Sequence, residues 1–315
     1  MAHSAAISHA TQDEVRRAIA GHRRNVSETV FSAALFLTLV VVLAVLITLL
    51  FSVARIAIPV IRDRGSSIVS NGYSSLPQNA GIKAGLIGSV YLMLFVLLFA
   101  VPLGVGAAIY MEEYARDTRL ARFINANIRN LAGVPAIVYG ILGLAIFVEL
   151  LKPITGPGSV EGKSLLAGGF TIALMVLPIV IITTQEALRS VPRSIREGGF
   201  GVGATRWEVI RSHVLPNAAP GILTGSVLSM ARALGETAPL IMVGAVTGFL
   251  ATSGGLLASL QQRFTALPTL IFAFVKKPQP EFQDLAAVAI LVLMVMIFVV
   301  NFAAILLRNR YERKW

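Results

Sequence analysis

Six stretches of this chain are long and apolar enough to cross a lipid bilayer as helices, and that constrains its fold more than any other feature. A spanning helix needs about twenty predominantly apolar residues, because hydrocarbon offers nothing to satisfy an unpaired backbone group. The runs are Val30–Val53, Leu86–Tyr110, Leu131–Leu151, Gly168–Ala187, Ile222–Gly248 and Leu285–Leu307. An all-α polytopic membrane protein with six transmembrane helices is expected. The third, fourth and fifth runs contain Gly, Pro or charge, which fits spans packed against neighbours rather than lipid. The first exceeds the apolar region of a secretory signal and follows a polar tail, so it reads as an uncleaved anchor.

The charges give the orientation. Of 315 residues only 14% are charged and 56% are hydrophobic, against about 25% and about 45–50% in soluble domains. A net charge of +11 would suggest nucleic acid as a partner for a soluble protein. Here it reads instead as basic cytoplasmic loops, and no nucleic-acid partner is expected. The N-tail, the loops after spans two and four and the C-tail hold 17 Lys and Arg, the opposite loops hold 9, and Arg232 inside the fifth run completes the 27. Both termini and the Arg189–Arg211 loop are thereby placed in the cytoplasm. A basic stretch on the outer side, Ile61–Arg64, runs against this count. The expected organisation is a cytoplasmic tail over 1–29 and a first transmembrane helix with its outer loop over 30–80. A main transmembrane domain follows over 81–311, with a cytoplasmic loop over 187–221, then a cytoplasmic end over 312–315.

Several chemistries are excluded. Without cysteine there are no disulfides, thiolate metal sites or cysteine nucleophiles. His3, His9, His22 and His213 are scattered, so no metal site is expected. Pro157–Ser164 puts Gly162, Lys163 and Ser164 in the register of a phosphate-binding loop, but Pro157 stands where the first glycine must be. Gly199, Gly201 and Gly203 lack the strand that precedes a dinucleotide fingerprint. The chain is not a recognisable enzyme and binds no cofactor of its own; if ATP is used, another subunit must supply the site.

The cytoplasmic loop carries more information. Thr205 followed by Glu208 is a capping box that starts a short helix, and Pro216 is expected to end it. The glycine run before it permits a sharp reversal. Phe200, Trp207, Ile210 and Val214 recur near helical spacing as an apolar face. Such a helix suits either a membrane surface or a cytoplasmic partner.

Glu197-Gly198-Gly199, then Gly203, then Leu215-Pro216 resembles the EAA loop of binding-protein-dependent ABC importer permeases, with the Glu-to-Pro spacing kept. It departs from that pattern where Gly198 and Gly199 replace alanines and His213 replaces isoleucine. Asn130–Phe147 (NLAGVPAIVYGILGLAIF), Ala231–Pro239 (ARALGETAP), Phe264–Phe272 (FTALPTLIF, in the loop after span five) and Leu307–Tyr311 (LRNRY) are similar to the PstA family of phosphate importer subunits. The resemblance runs over about residues 80–311. It implies the fold of a type I ABC importer permease and the import of inorganic phosphate. It also implies a second, PstC-like permease, a PstS-like extracytoplasmic binding protein, and a PstB-like ATPase dimer that binds ATP and Mg. That dimer would dock on Glu197, Gly203, Trp207, Leu215 and Pro216. The alternatives are the sister PstC-like permease, a permease for sulfate or molybdate, and, further off, a secondary transporter or channel without an ATPase.

Arg232 and Glu236 lie four residues apart inside the fifth run, hence on one face of a helix. Charge at mid-bilayer costs about 2.5–3.5 kcal/mol or more, so such a pair faces a bundle interior or an aqueous path. It either fixes helix packing or forms an anion pathway in which Arg232 attracts and Glu236 moderates. The resemblance favours the pathway and adds Thr237. Glu149 and Glu186 lie near interfaces where solvation explains them, and Gly133, Pro135, Gly140 and Gly143 suggest close packing of the third span. Pro102, Gly104 and Gly106 suggest a kink or opening in the second.

Overall fold

The computed structural model describes residues 26–157, 159–245 and 259–311. Most of the expected N-terminal tail, the end of the fifth run and residues 312–315 lie outside them. Among the described residues the chain is helical, without strands: α1 (Val26–Arg64), α2 (Lys83–Tyr114), α3 (Arg119–Ala132), α4 (Ala136–Leu150) and α5 (Leu165–Arg189). There follow α6 (Arg193–Gly201), α7 (Arg206–Gly235), α8 (Ala238–Met242), α9 (Leu267–Val275) and α10 (Pro280–Tyr311).

The chain divides into two units, 1–52 and 53–315. In the first, the apolar residues of α1 from Val30 to Phe51 are exposed on every side, as befits a helix whose solvent is lipid.

The second unit is built around α5. Two thirds of its most apolar stretch is buried, whereas almost none of α10's is. A central cluster joins Leu92 and Val96 of α2, Tyr139 of α4, Ile172 and Val176 of α5, Met230 of α7 and Leu240 of α8. A second cluster packs Ala57, Ile82, Leu270, Phe274, Phe282 and Leu285. A third gathers Ala108, Ile181, Leu188, Val209 and Val214. The residues that seemed misplaced on the outer side have a structural use. Arg64 donates hydrogen bonds to the carbonyls of Pro77, Gln78 and Ala80 at 3.0, 2.9 and 2.6 Å, clamping the turn that leads into α2.

Three sequence expectations need correction. The third run is not one straight span: α3 and α4 meet at 104°, at Gly133-Val134-Pro135. Proline disfavours α conformation in the residue before it, and the Tyr139 hydroxyl donates to the Leu131 carbonyl at 2.8 Å across the break. Pro216 does not end the loop helix, because α7 runs through it to Gly235. Residues Ile210–Val214 form a wide turn in which the Leu215 N–H bonds the carbonyl of Ile210, five residues back. The ladder is already displaced when the chain reaches Pro216, so the missing N–H costs little. The same arrangement, Val101 N–H to the Val96 carbonyl, carries α2 through Pro102. Finally, Phe264–Phe272 is no plain loop. It holds most of α9, where Leu267, Pro268, Thr269 and Leu270 are buried and the Leu267 N–H donates to Ser89 Oγ at 2.8 Å.

Candidate functional site

The fifth run breaks where its charges sit. α7 ends at Gly235, Glu236 is extended (φ −80°, ψ 121°), and α8 restarts at Ala238. Arg232 and Glu236 are therefore not two residues of one helical face. Arg232 belongs to the last turn of α7, where a cation complements the helix's negative end, and Glu236 stands just beyond it. Arg232 Nε lies 3.3 Å from Glu236 Oε1, with the side chains 46% and 21% exposed. Thr237 follows at the start of α8, half-buried. The break is held against the third span: a Cβ on Gly140 of α4 would lie 2.7 Å from Pro239 Cα, so only glycine lets α8 approach this closely. The next turn's Gly143 is packed against Thr171 of α5 in the same way. The broken third and fifth runs thus meet where α4 packs on α8. Irregular backbone of this kind at membrane depth is tolerated only inside protein or along an aqueous cavity.

The 187–221 loop folds as two helices and a tight reversal. At the end of α6 the Ala204 N–H bonds the Gly199 carbonyl at 3.2 Å and the Gly203 N–H bonds the Phe200 carbonyl at 3.0 Å. That is a Schellman cap, and Gly203 occupies its left-handed position with φ +83°. Gly198, Gly199 and Gly201 are helical, so the reversal rests on Gly203 alone. Thr205 and Glu208 form the expected capping box, with the Thr205 N–H donating to Glu208 Oε2 at 2.7 Å. The expected apolar face divides. Ile210 and Val214 are buried, while Phe200, Val202 and Trp207 are exposed. Glu197 is exposed beside them, whereas Leu215 and Pro216 lie further along α7.

The loop is fastened by residues that sequence reasoning missed, Glu112, Glu113 and Tyr114 at the end of α2. Arg189 grips Glu112 with two bonds of 2.9 and 2.6 Å. Arg196 donates to Glu113 at 2.7 Å and to the carbonyls of Leu188 and Val191 at 2.9 and 2.8 Å. Arg206 lies over the Tyr114 ring at 5.5 Å. An acidic pair closing a span on the side where bases dominate was the available signal. The false phosphate-loop motif has a different use: Ser164 caps α5, its Oγ accepting from the Ala167 N–H at 3.1 Å and donating to the Thr155 carbonyl at 2.7 Å. Beside it, the hydrogen bond from Lys163 holds the Glu161 carboxyl below its ordinary pKa. Among the described residues, no group of three or more His, Asp or Glu could hold a metal ion.

Residues 100–315, which include both of these regions, match the family of binding-protein-dependent transport system inner membrane components. The chain belongs to that family. It is 34% identical to the phosphate transport system permease protein PstA of Yersinia pestis, over 71% of each chain. It is 33% identical to the probable ABC transporter permease protein YqgI of Bacillus subtilis, over 55% of this chain, and spans just over half (56%) of that relative's length. Among solved structures it resembles a chain of the bacterial alginate ABC transporter in complex with a pentasaccharide-bound periplasmic protein. That match has a TM-score of 0.61 at 16% identity, covering 87% of this chain and 92% of the other. At that identity the likeness concerns the fold alone, an all-helical chain that crosses the bilayer several times.

Proposed function

We propose that this chain is the membrane-spanning permease subunit of an ATP-driven importer that moves inorganic phosphate into the cell. The observation that carries the reading is Arg232, left nearly half exposed at an interior helix end and touched by one carboxylate. A charge at that depth does not face lipid. It faces an aqueous path or a second permease subunit, and the PstC-like partner would supply the other wall. Arg232 attracts the anion, Glu236 keeps it from binding too tightly, and the Thr237 hydroxyl adds a hydrogen-bond donor. Phosphate as the cargo is supported by the PstA relatives.

The exposed Phe200, Val202 and Trp207 beside Glu197 form an apolar surface with an acidic edge, suited to docking a PstB-like ATPase dimer that holds ATP and Mg. A PstS-like binding protein would deliver phosphate to the outer face, with both termini of this chain in the cytoplasm. The chain itself then needs no cofactor and performs no catalysis.

The test is phosphate uptake by a four-member cycle of Arg232→Gln, Glu236→Gln, both and neither, with assembled complex quantified for each. Arg232→Gln is expected to lower uptake at least about tenfold, because it removes the positive charge that draws the anion in. Glu236→Gln should be milder, and the double variant less than additive because the residues share one interaction. Normal uptake by Arg232→Gln at full assembly would leave the pair a packing device. Separately, Glu197→Lys and Trp207→Ala should abolish recruitment of the ATPase while membrane insertion stays normal. Recruitment at the unaltered level would remove the docking assignment. Reporter fusions at the C-terminus and in the 155–164 loop should report opposite sides; matching signals would mean a miscounted span.

A further inference from the structure

Beyond the transport path, α7 and α10 leave a crevice of about 330 Å³ between them. Its lining is Thr224, Val227 and Leu228 of α7 with Asn301, Ala304 and Ile305 of α10, and Arg308 is its charged group. Arg308 Nε is shielded from solvent without a hydrogen-bond partner, and among the described residues no carboxylate pairs with Arg308. A guanidinium donor left unsatisfied is expensive, so an acceptor from beyond the described residues is expected at Arg308. Arg308 is also the first charge after the apolar run Leu285–Leu307. It therefore lies where hydrocarbon gives way to headgroups, on the cytoplasmic side by the loop charges.

We propose that the crevice binds an anionic phospholipid of the cytoplasmic leaflet, its phosphate on Arg308 and an acyl chain along Leu228 and Ile305. Free phosphate would satisfy the guanidinium but leave the apolar walls bare. A helix from another subunit fits poorly. Helix contacts in membranes favour small residues, whereas this end of α10 also carries Phe298, Phe302 and Leu306, all more than half exposed.

The experiment is native mass spectrometry of the full chain, purified with the subunits that accompany it and titrated with phosphatidylglycerol or phosphatidylcholine. Phosphatidylglycerol should bind about fivefold more tightly, the preference one basic residue confers near a membrane surface. Arg308→Gln should erase that preference, Arg308→Lys should keep it, and Leu228→Trp, which fills the crevice, should remove both lipids from the site. An unchanged preference in Arg308→Gln would overturn the proposal. So would displacement of the lipid by millimolar inorganic phosphate, which would identify a free-anion site. The chain has no cysteine, so Ile305→Cys gives a single reactive thiol. Its efficient cross-linking to a cysteine in an accompanying subunit would identify a protein occupant and also overturn the proposal.

Discussion

Arg196 donates to Glu113 at 2.7 Å and to two backbone carbonyls besides, whereas among the described residues Arg232 reaches only Glu236, through Nε at 3.3 Å. The side chains of the first pair are 20% and 10% exposed, those of the second 46% and 21%. Arg196 has spent its donors on holding α6 against α2 and α5. Arg232 keeps its terminal nitrogens open towards whatever passes or packs there. A saturated guanidinium holds structure; an unsaturated one still has donors to offer. The difference lies in how many acceptors surround each cation, since both face a single carboxylate.

The comparison can be broken most forcefully at Arg196. Arg196→Ala leaves Glu113 and two carbonyls without a partner and should cost about 2–3 kcal/mol of stability, at the low end for a buried pair because this one is partly exposed. The thermal midpoint of the purified protein measures it, and uptake per folded molecule should persist. An uptake defect at unchanged stability would reverse the two roles. Exchange for lysine sharpens the contrast. Arg196→Lys should still lose about 1–2 kcal/mol, because an ammonium cannot reproduce the planar fork. Arg232→Lys keeps the charge and should retain uptake within about threefold. The smallest effect is expected at Gly203, whose φ of +83° makes Gly203→Ala cost about 1 kcal/mol. Gly203→Asn should cost less, and equal midpoints for the two would show that the cap is not limiting.

Apolar run length made the spans legible, since backbone satisfaction in hydrocarbon leaves helices as the solution for a run such as Leu285–Leu307. Thr205 and Glu208 were legible because a capping box is local chemistry. What stayed hidden depended on neighbours. Nothing local says that Gly140 yields to Pro239, that Glu113 waits for a residue 83 positions on, or that a wide turn rescues Pro216. The Arg232–Glu236 spacing was read as helical because the run stays apolar through Thr237, and apolarity does not report where a helix stops.

The continuity of α7 has a mechanical consequence. Its 30 residues make a rod about 45 Å long, at about 1.5 Å per residue, with Trp207 on its first turn and Arg232 on its last. No loop intervenes between the exposed Trp207 and Arg232. A tilt of about 10° about one end would swing the other by roughly 8 Å over such a length. Force applied at the Trp207 end would reach Arg232 along one helix, and the wide turn at Ile210–Val214, followed by Pro216, is the place where that helix can bend.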